Sequence, residues 1–219
     1  PAVAITDTNN LFGALEFSAA ASAGGVQPII GCQLNITYAS DGGAAPKNGS
    51  AMLVGALVLL AQSDTGYRNL LKLLSQAHVD SDGAAKPQVS LESLEAHGDG
   101  LIAMTGGADG AVATLLANGQ DEACESLLDG LGGAFPGRLY VELTRHGTEV
   151  ETRIEAALIA LADARDLPLV ATNEVYFGDA EQFSAHDALV CVAEGSYVGA
   201  DDRRRLTPEY YFKSADEMR

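Results

Sequence analysis

The chain has 219 residues, 47% of them apolar and 20% charged, enough to build a sizeable core and too apolar for a disordered chain. Thirty acidic residues against thirteen basic ones give a formal net charge of −17. A surface of that sign repels phosphate backbones, so little direct DNA contact is expected of it.

Ala2-Val3-Ala4-Ile5 is a short apolar run ending in the polar cluster Thr6-Asp7-Thr8-Asn9-Asn10. It reads as a buried strand entering a turn, with Asp7 as a candidate cap for a helix over residues 11–23 that stops at Gly24-Gly25. A second strand is expected over 28–36, and a Gly/Ala/Pro-rich surface loop over 38–50. The run 52–60 is apolar on both faces and reads as a buried strand. Asp64 is the expected cap of a helix over 66–77, whose stripe is Leu70, Leu71, Leu73 and Leu74. After a polar loop over 80–88, Ser90 starts a short helix that ends near Gly98.

A fourth strand follows over 101–104 and stops at Thr105-Gly106-Gly107. Asp109 starts a helix reaching Ala117, and another spans 121–131. Residues 138–143 alternate like a strand and lead into Thr144-Arg145-His146-Gly147. Ile154, Leu158 and Leu161 mark a helix over 149–165. A sixth strand over 167–171 ends at Thr172-Asn173-Glu174, with a last helix over 180–194. Strands alternating with helices predict one α/β domain whose sheet is mostly parallel and either closed or doubly wound.

Cys32, Cys124 and Cys191 lie far apart and form no C-x-x-C pair, so reduced thiols in a cytoplasmic protein are the simplest reading. The longest apolar run contains Gly55 and is too short to span a bilayer, so no membrane partner is expected. The chain opens on Pro1 and enters a strand almost at once, as a piece of a longer polypeptide would. It has no G-x-G-x-x-G at the first turn, no P-loop and no G-x-S-x-G. The basic run Arg203-Arg204-Arg205 follows two aspartates and reads as a locally neutralised turn, with nucleic-acid contact as the sharper alternative.

The polar groups at the strand exits form one constellation. They are Asp7, Gln33, the Gly106-Gly107 turn, His146, and Asn173-Glu174 with Tyr176 nearby. A two-metal hydrolytic site needs several imidazole and carboxylate ligands around a shared hydroxide. One histidine and two carboxylates, with no H-x-H pair anywhere, are too few. His78 and His97 sit near helix ends, where a structural role suits a cation, and His186 is mid-helix.

The run from Ala4 through Asp7, Asn10, Gly13 and Phe17 resembles a segment of the polymerase-and-histidinol-phosphatase (PHP) domain of bacterial replicative DNA polymerase III alpha subunits. The likeness continues through Gln27-Pro28-Ile29-Ile30-Gly31-Cys32 and Gly66-Tyr67-Arg68-Asn69-Leu70. It extends through Tyr140-Val141-Glu142-Leu143-Thr144-Arg145-His146-Gly147, the 167–174 segment and the 206–214 segment.

The resemblance implies a distorted (β/α)7 barrel, here lacking its first strand, over 1–205, with 206–219 starting the connection to the polymerase core. It also implies where a metal cluster would sit. Asp7, His146 and Glu174 match ligand positions, whereas Thr8, Gln33, Gly107 and Tyr176 stand where other ligands are expected. The expectation is therefore a metal-depleted, catalytically silent module of a DNA-directed DNA polymerase, binding no cofactor itself. Mg2+ would belong to the polymerase core. Implied partners are the proofreading exonuclease subunit, the polymerase core of the same chain and other replisome subunits. The alternative is an active phosphoesterase or 3′–5′ exonuclease using Zn2+ or Mn2+.

Overall fold

The computed structural model describes residues 1–39, 41, 52–81 and 86–218. Its sheet runs in the order β1 (Ala2–Ile5), β2 (Gln27–Ala39), β3 (Met52–Ala61), β5 (Leu101–Met104), β6 (Leu139–Leu143) and β7 (Leu169–Ala171). The two-residue strand β4 (Val89–Ser90) pairs with β2 off this path. β1 with β2, β5 with β6, and β6 with β7 are parallel, but β3 is antiparallel to both β2 and β5. The result is a curled partial (β/α) barrel. The expected α/β class holds, while the reversal of β3 departs from simple alternation.

The reversal follows from connectivity. β2 and β3 are consecutive long strands, paired from Gly31↔Leu60 to Ala39↔Met52. A parallel pair needs a crossover, usually a helix, whereas a direct connection suits antiparallel neighbours. β2 extends to Ala39, so Tyr38 and Ala39 belong to the strand and not to the expected loop, the rest of which, Asp41 apart, lies outside the described residues. Most of the expected 80–88 loop is described, but 82–85 is not.

The helices α2 (Asp64–Val79), α3 (Leu91–His97), α4 (Ala111–Ala117), α5 (Asp121–Ala134) and α6 (Glu149–Ala164) contribute to one core with the sheet. Leu34, Ile36, Leu59, Leu70, Leu73, Leu101, Leu127 and Phe135 are fully buried there. Ser63, not Asp64, caps α2, its hydroxyl accepting from Gly66 N–H, because the first in-turn residue cannot reach back to the orphan donors as the extended Ser63 does. Ser90 caps α3 in the same way through Ser93 N–H.

Two other expected starts shift. α1 (Ala14–Ala23) begins behind Gly13 without a side-chain cap, so neither a start at Leu11 nor a capping Asp7 holds. Asp109 closes a short 3-10 turn (Gly107–Asp109), and the extended Gly110 then starts α4. A second 3-10 turn (Ala180–Gln182) precedes α7 (Phe183–Glu194). No helix among the described residues is long and apolar enough to cross a membrane.

One core side chain carries an unmet polar group. Tyr38 is fully buried, and its hydroxyl has no hydrogen-bond partner among the described residues. Burial, with the neighbouring Cys124 thiol, raises its pKa. Stripping a hydroxyl of water without a replacement bond costs about 1–3 kcal/mol. Tyr38→Phe keeps the ring and removes the orphan, so it is expected to stabilise the fold by about 1 kcal/mol. A melting temperature raised by about 2–4 °C would show this, and a lowered one would mean that the hydroxyl has a partner.

Candidate functional site

The strand exits converge on a cavity of about 590 Å³. Both end strands of the sheet line it, β1 through Ala2, Val3 and Ala4 and β7 through Ala171. Its polar wall includes Thr6, Gln33, Glu142, His146, Asn173 and Glu174.

His146, just past β6, is buried and fully engaged. Its Nδ1 lies 2.8 Å from Glu151 Oε1, and its Nε2 accepts the backbone N–H of Glu174 at 3.2 Å. An acceptor Nε2 places the ring proton on Nδ1, where it is donated to the Glu151 carboxylate. Tyr210 stacks on the imidazole with centroids 3.8 Å apart and planes 6° from parallel.

Glu151 is the N3 residue of α6 and completes a capping box with Thr148. Its carboxylate accepts from Thr148 N–H at 2.9 Å and from His146 N–H at 3.0 and 3.1 Å. Burial opposes its charge, but the bonds from His146 and Thr148 outweigh that and hold its pKa far below the usual carboxylate range.

Glu142 behaves oppositely. Next to last in β6, it is buried at the cavity wall. Gly106 N–H reaches its Oε2 at 2.9 Å and the Thr172 hydroxyl donates to Oε1. Burial raises its pKa despite those bonds, and the nearby Glu174 charge adds to the rise. Tyr176 donates its hydroxyl to Glu174 Oε1 at 2.7 Å, and burial together with that bond pushes its pKa up to about 12.

Of the residues expected at the site, Gln33, Gly107, His146 and Glu174 line the cavity, whereas Asp7 and Thr8 do not. The Asp7 carboxylate turns toward Gly13, and Thr8 forms an isolated bridge with Gln33. Tyr176 does not line the cavity but touches its wall through Glu174 and Tyr210. Sequence reasoning missed Glu142, Glu151 and Tyr210. The Thr148-x-x-Glu151 spacing is a legible capping box, and an acid inside an otherwise apolar strand is legible at Glu142.

This donor set does not fit a metal cluster of the kind the fold implies. Both His146 nitrogens are already bonded, Nδ1 to Glu151 and Nε2 to the Glu174 N–H, and Glu142 is held by Gly106 N–H and the Thr172 hydroxyl. No three His, Cys, Asp or Glu side chains among the described residues are placed to hold a metal ion.

The remaining candidates are structural. His78 Nε2 lies 2.9 Å from Asn9 O, tying the end of α2 to the turn after β1. His186 packs its ring against Tyr176 and Phe177. The three cysteines are free and buried, and burial pushes the Cys32 and Cys124 thiols up to about 11, which keeps both unreactive. Arg203 forms two bonds to Asp187, at 2.6 and 2.7 Å, and Arg205 donates to Ala200 O. Burial works against the Arg204 charge, but Tyr176, Asp109 and Glu174 outweigh it. Arg203 is thus committed within the fold, while Arg204 and Arg205 remain exposed.

The PHP domain family model matches residues 1–146. The chain is 44% identical over its full length to the DNA polymerase III subunit alpha of Caulobacter vibrioides. It is 36% identical to that of Rickettsia bellii over 99% of its length, and 35% identical to that of Escherichia coli K12 over all of it. The chain spans 19%, 18% and 18% of these three relatives, about a fifth of their length. With the curled barrel and the strand-end cavity, the match over residues 1–146 places this chain in the PHP domain family.

Proposed function

We propose that the chain is the N-terminal PHP module of a DNA polymerase III alpha subunit, acting as a metal-depleted brace for the polymerase core of the same polypeptide. In this reading it docks the proofreading exonuclease subunit within a cytoplasmic replisome, and Mg2+ serves only the polymerase core. What supports it is that Thr8, Gln33, Gly107 and Tyr176 stand where the resemblance implies metal ligands, in a chain similar throughout to alpha subunits. Thr, Gln and Tyr are poor substitutes for imidazole or carboxylate, and Gly offers no side chain. The net charge of −17 favours protein partners over a phosphate backbone.

The competing reading is an active Zn2+- or Mn2+-dependent phosphoesterase or exonuclease built on Asp7, His146 and Glu174. Metal content after equilibration with Zn2+ or Mn2+, a 3′-end nuclease assay and co-elution with the exonuclease subunit test the two together. The proposal expects substoichiometric metal, no His146-dependent nuclease activity, and co-elution. Stoichiometric metal with nuclease activity abolished by His146→Ala would overturn the silent reading. Failure to co-elute would overturn the docking role alone.

A further inference from the structure

The residues after the Arg203–Arg205 turn do not leave the barrel; they lie back across the cavity. Asn173 Nδ2 donates to Tyr211 O at 2.7 Å, Tyr176 N–H to Tyr210 O at 2.9 Å, and Phe212 N–H to Phe177 O at 3.1 Å. Phe177 and Tyr211 form a parallel bridge, so residues 210–212 run beside the exit of β7. Tyr210, Phe212 and Lys213 all line the cavity. Lys213 is held back toward the same segment by Glu209 at 3.0 Å.

The seat of this segment is His146. The Thr207 hydroxyl donates to His146 O, and the Tyr210 ring covers the His146 ring face to face. The same imidazole holds Glu151 at the start of α6 and the Glu174 N–H at the exit of β7. One side chain thus joins the closing segment, the start of α6 and the exit of β7.

We infer that residues 207–213 form a strap across the strand-end cavity, with His146 as the positioning residue that couples the strap to the cavity wall. The strap is irregular chain held by four hydrogen bonds and one ring stack, and it carries the exposed Phe212 (58% exposed), so it is placed to open locally before the core does. A molecule filling the cavity meets Tyr210, Phe212 and Lys213 as well as His146, so its binding differs between seated and lifted strap. That difference is what couples occupancy to strap position. A pull on the chain beyond Lys213 reaches His146 by the same contacts. The inference goes beyond the proposed function and does not depend on which partner the domain docks.

The test uses the full chain, with amide exchange and ring-nitrogen NMR. Tyr210→Leu removes the stacked ring from the strap side. Expected are exchange at Tyr176 and Phe212 faster by about tenfold, displaced His146 ring-nitrogen signals, and unchanged protection in β2 and β3. Unchanged exchange at Phe212 would overturn the strap. Faster exchange with unmoved His146 signals would overturn the coupling. If Tyr210→Leu fails to fold, Thr207→Val deletes only the hydroxyl bond to His146 O, and the same two readouts decide.

Discussion

Glu151→Ala is expected to destabilise the domain by about 3–5 kcal/mol, because several donors are left unpaired at about 1–3 kcal/mol each. Three donors lose their acceptor together: Nδ1–H and the backbone N–H of His146, and the Thr148 N–H of the capping box. His146 is buried and cannot turn to water for a substitute. Chemical denaturation should show the loss as a lower midpoint at an unchanged slope. At about 2–4 °C per kcal/mol, the melting temperature should fall by about 10 °C. A loss below about 1 kcal/mol would place the capping box among ordinary exposed caps and remove Glu151 from its central position.

The pH dependence of that loss has a definite sign. Glu151 is held below the usual 4.5 in the folded state, so its stabilisation is complete above that pH and is lost as pH falls toward the folded value. Glu142 is raised, so the folded state keeps its proton longer than the unfolded chain does. Its stabilisation is complete below the usual carboxylate pKa and declines as pH rises through the folded value. The gap between wild type and Glu151→Ala should therefore narrow on going from pH 7 to pH 3. A gap of constant size would mean that the carboxylate charge contributes nothing.

The sequence carries more of the framework than of the site. β1, β3, β5 and α3 lie within a residue or so of their expected limits because each is a short run bounded by polar or glycine-rich turns. The β3 reversal was within reach, since no helix was expected between the second and third strands, and only an antiparallel neighbour is joined without a crossover. The starts of α1 and α4 were not, because Leu11 and Asp109 fit a helical first turn as well as the turns they occupy. At the cavity, periodicity finds strand exits but not which polar side chains face each other across them. Asp7 looked central from its position in the chain, yet its carboxylate turns to Gly13. Tyr210 carries no local signal of a site, yet it covers His146 from sixty-four residues away. Such pairings are set by how the closing segment folds back, which local pattern does not encode.

Gly66→Ala is where two magnitudes compete with opposite signs. Within a helix, Ala is preferred to Gly by about 0.8–1 kcal/mol, so propensity alone predicts a more stable α2. The site forbids it. A Cβ on Gly66 would stand 1.8 Å from Gly100 O and 2.4 Å from Gly100 C, both backbone atoms of the turn before β5. Gly100 has φ of +71° and its own Cβ would strike Ser63 Oγ and Gly66 N, so the turn has no easy retreat. Three residues on, Asn69 Nδ2 donates to Asp99 O at 2.9 Å and fixes the same approach. Overpacking against a rigid neighbour costs about 1–3 kcal/mol and sometimes more, and here the neighbour is main chain on both sides. The net expectation is a loss of about 2 kcal/mol, with Asn69→Ala losing about 1 kcal/mol from the same contact. Because the two changes share one contact, the double variant should lose less than the sum of the singles. Additive losses in denaturant titrations, or a stabilised Gly66→Ala, would show that α2 does not rest on the 98–100 backbone. The glycine of Gly66-Tyr67-Arg68-Asn69-Leu70 is then explained by close approach, and the asparagine by the carbonyl it meets there.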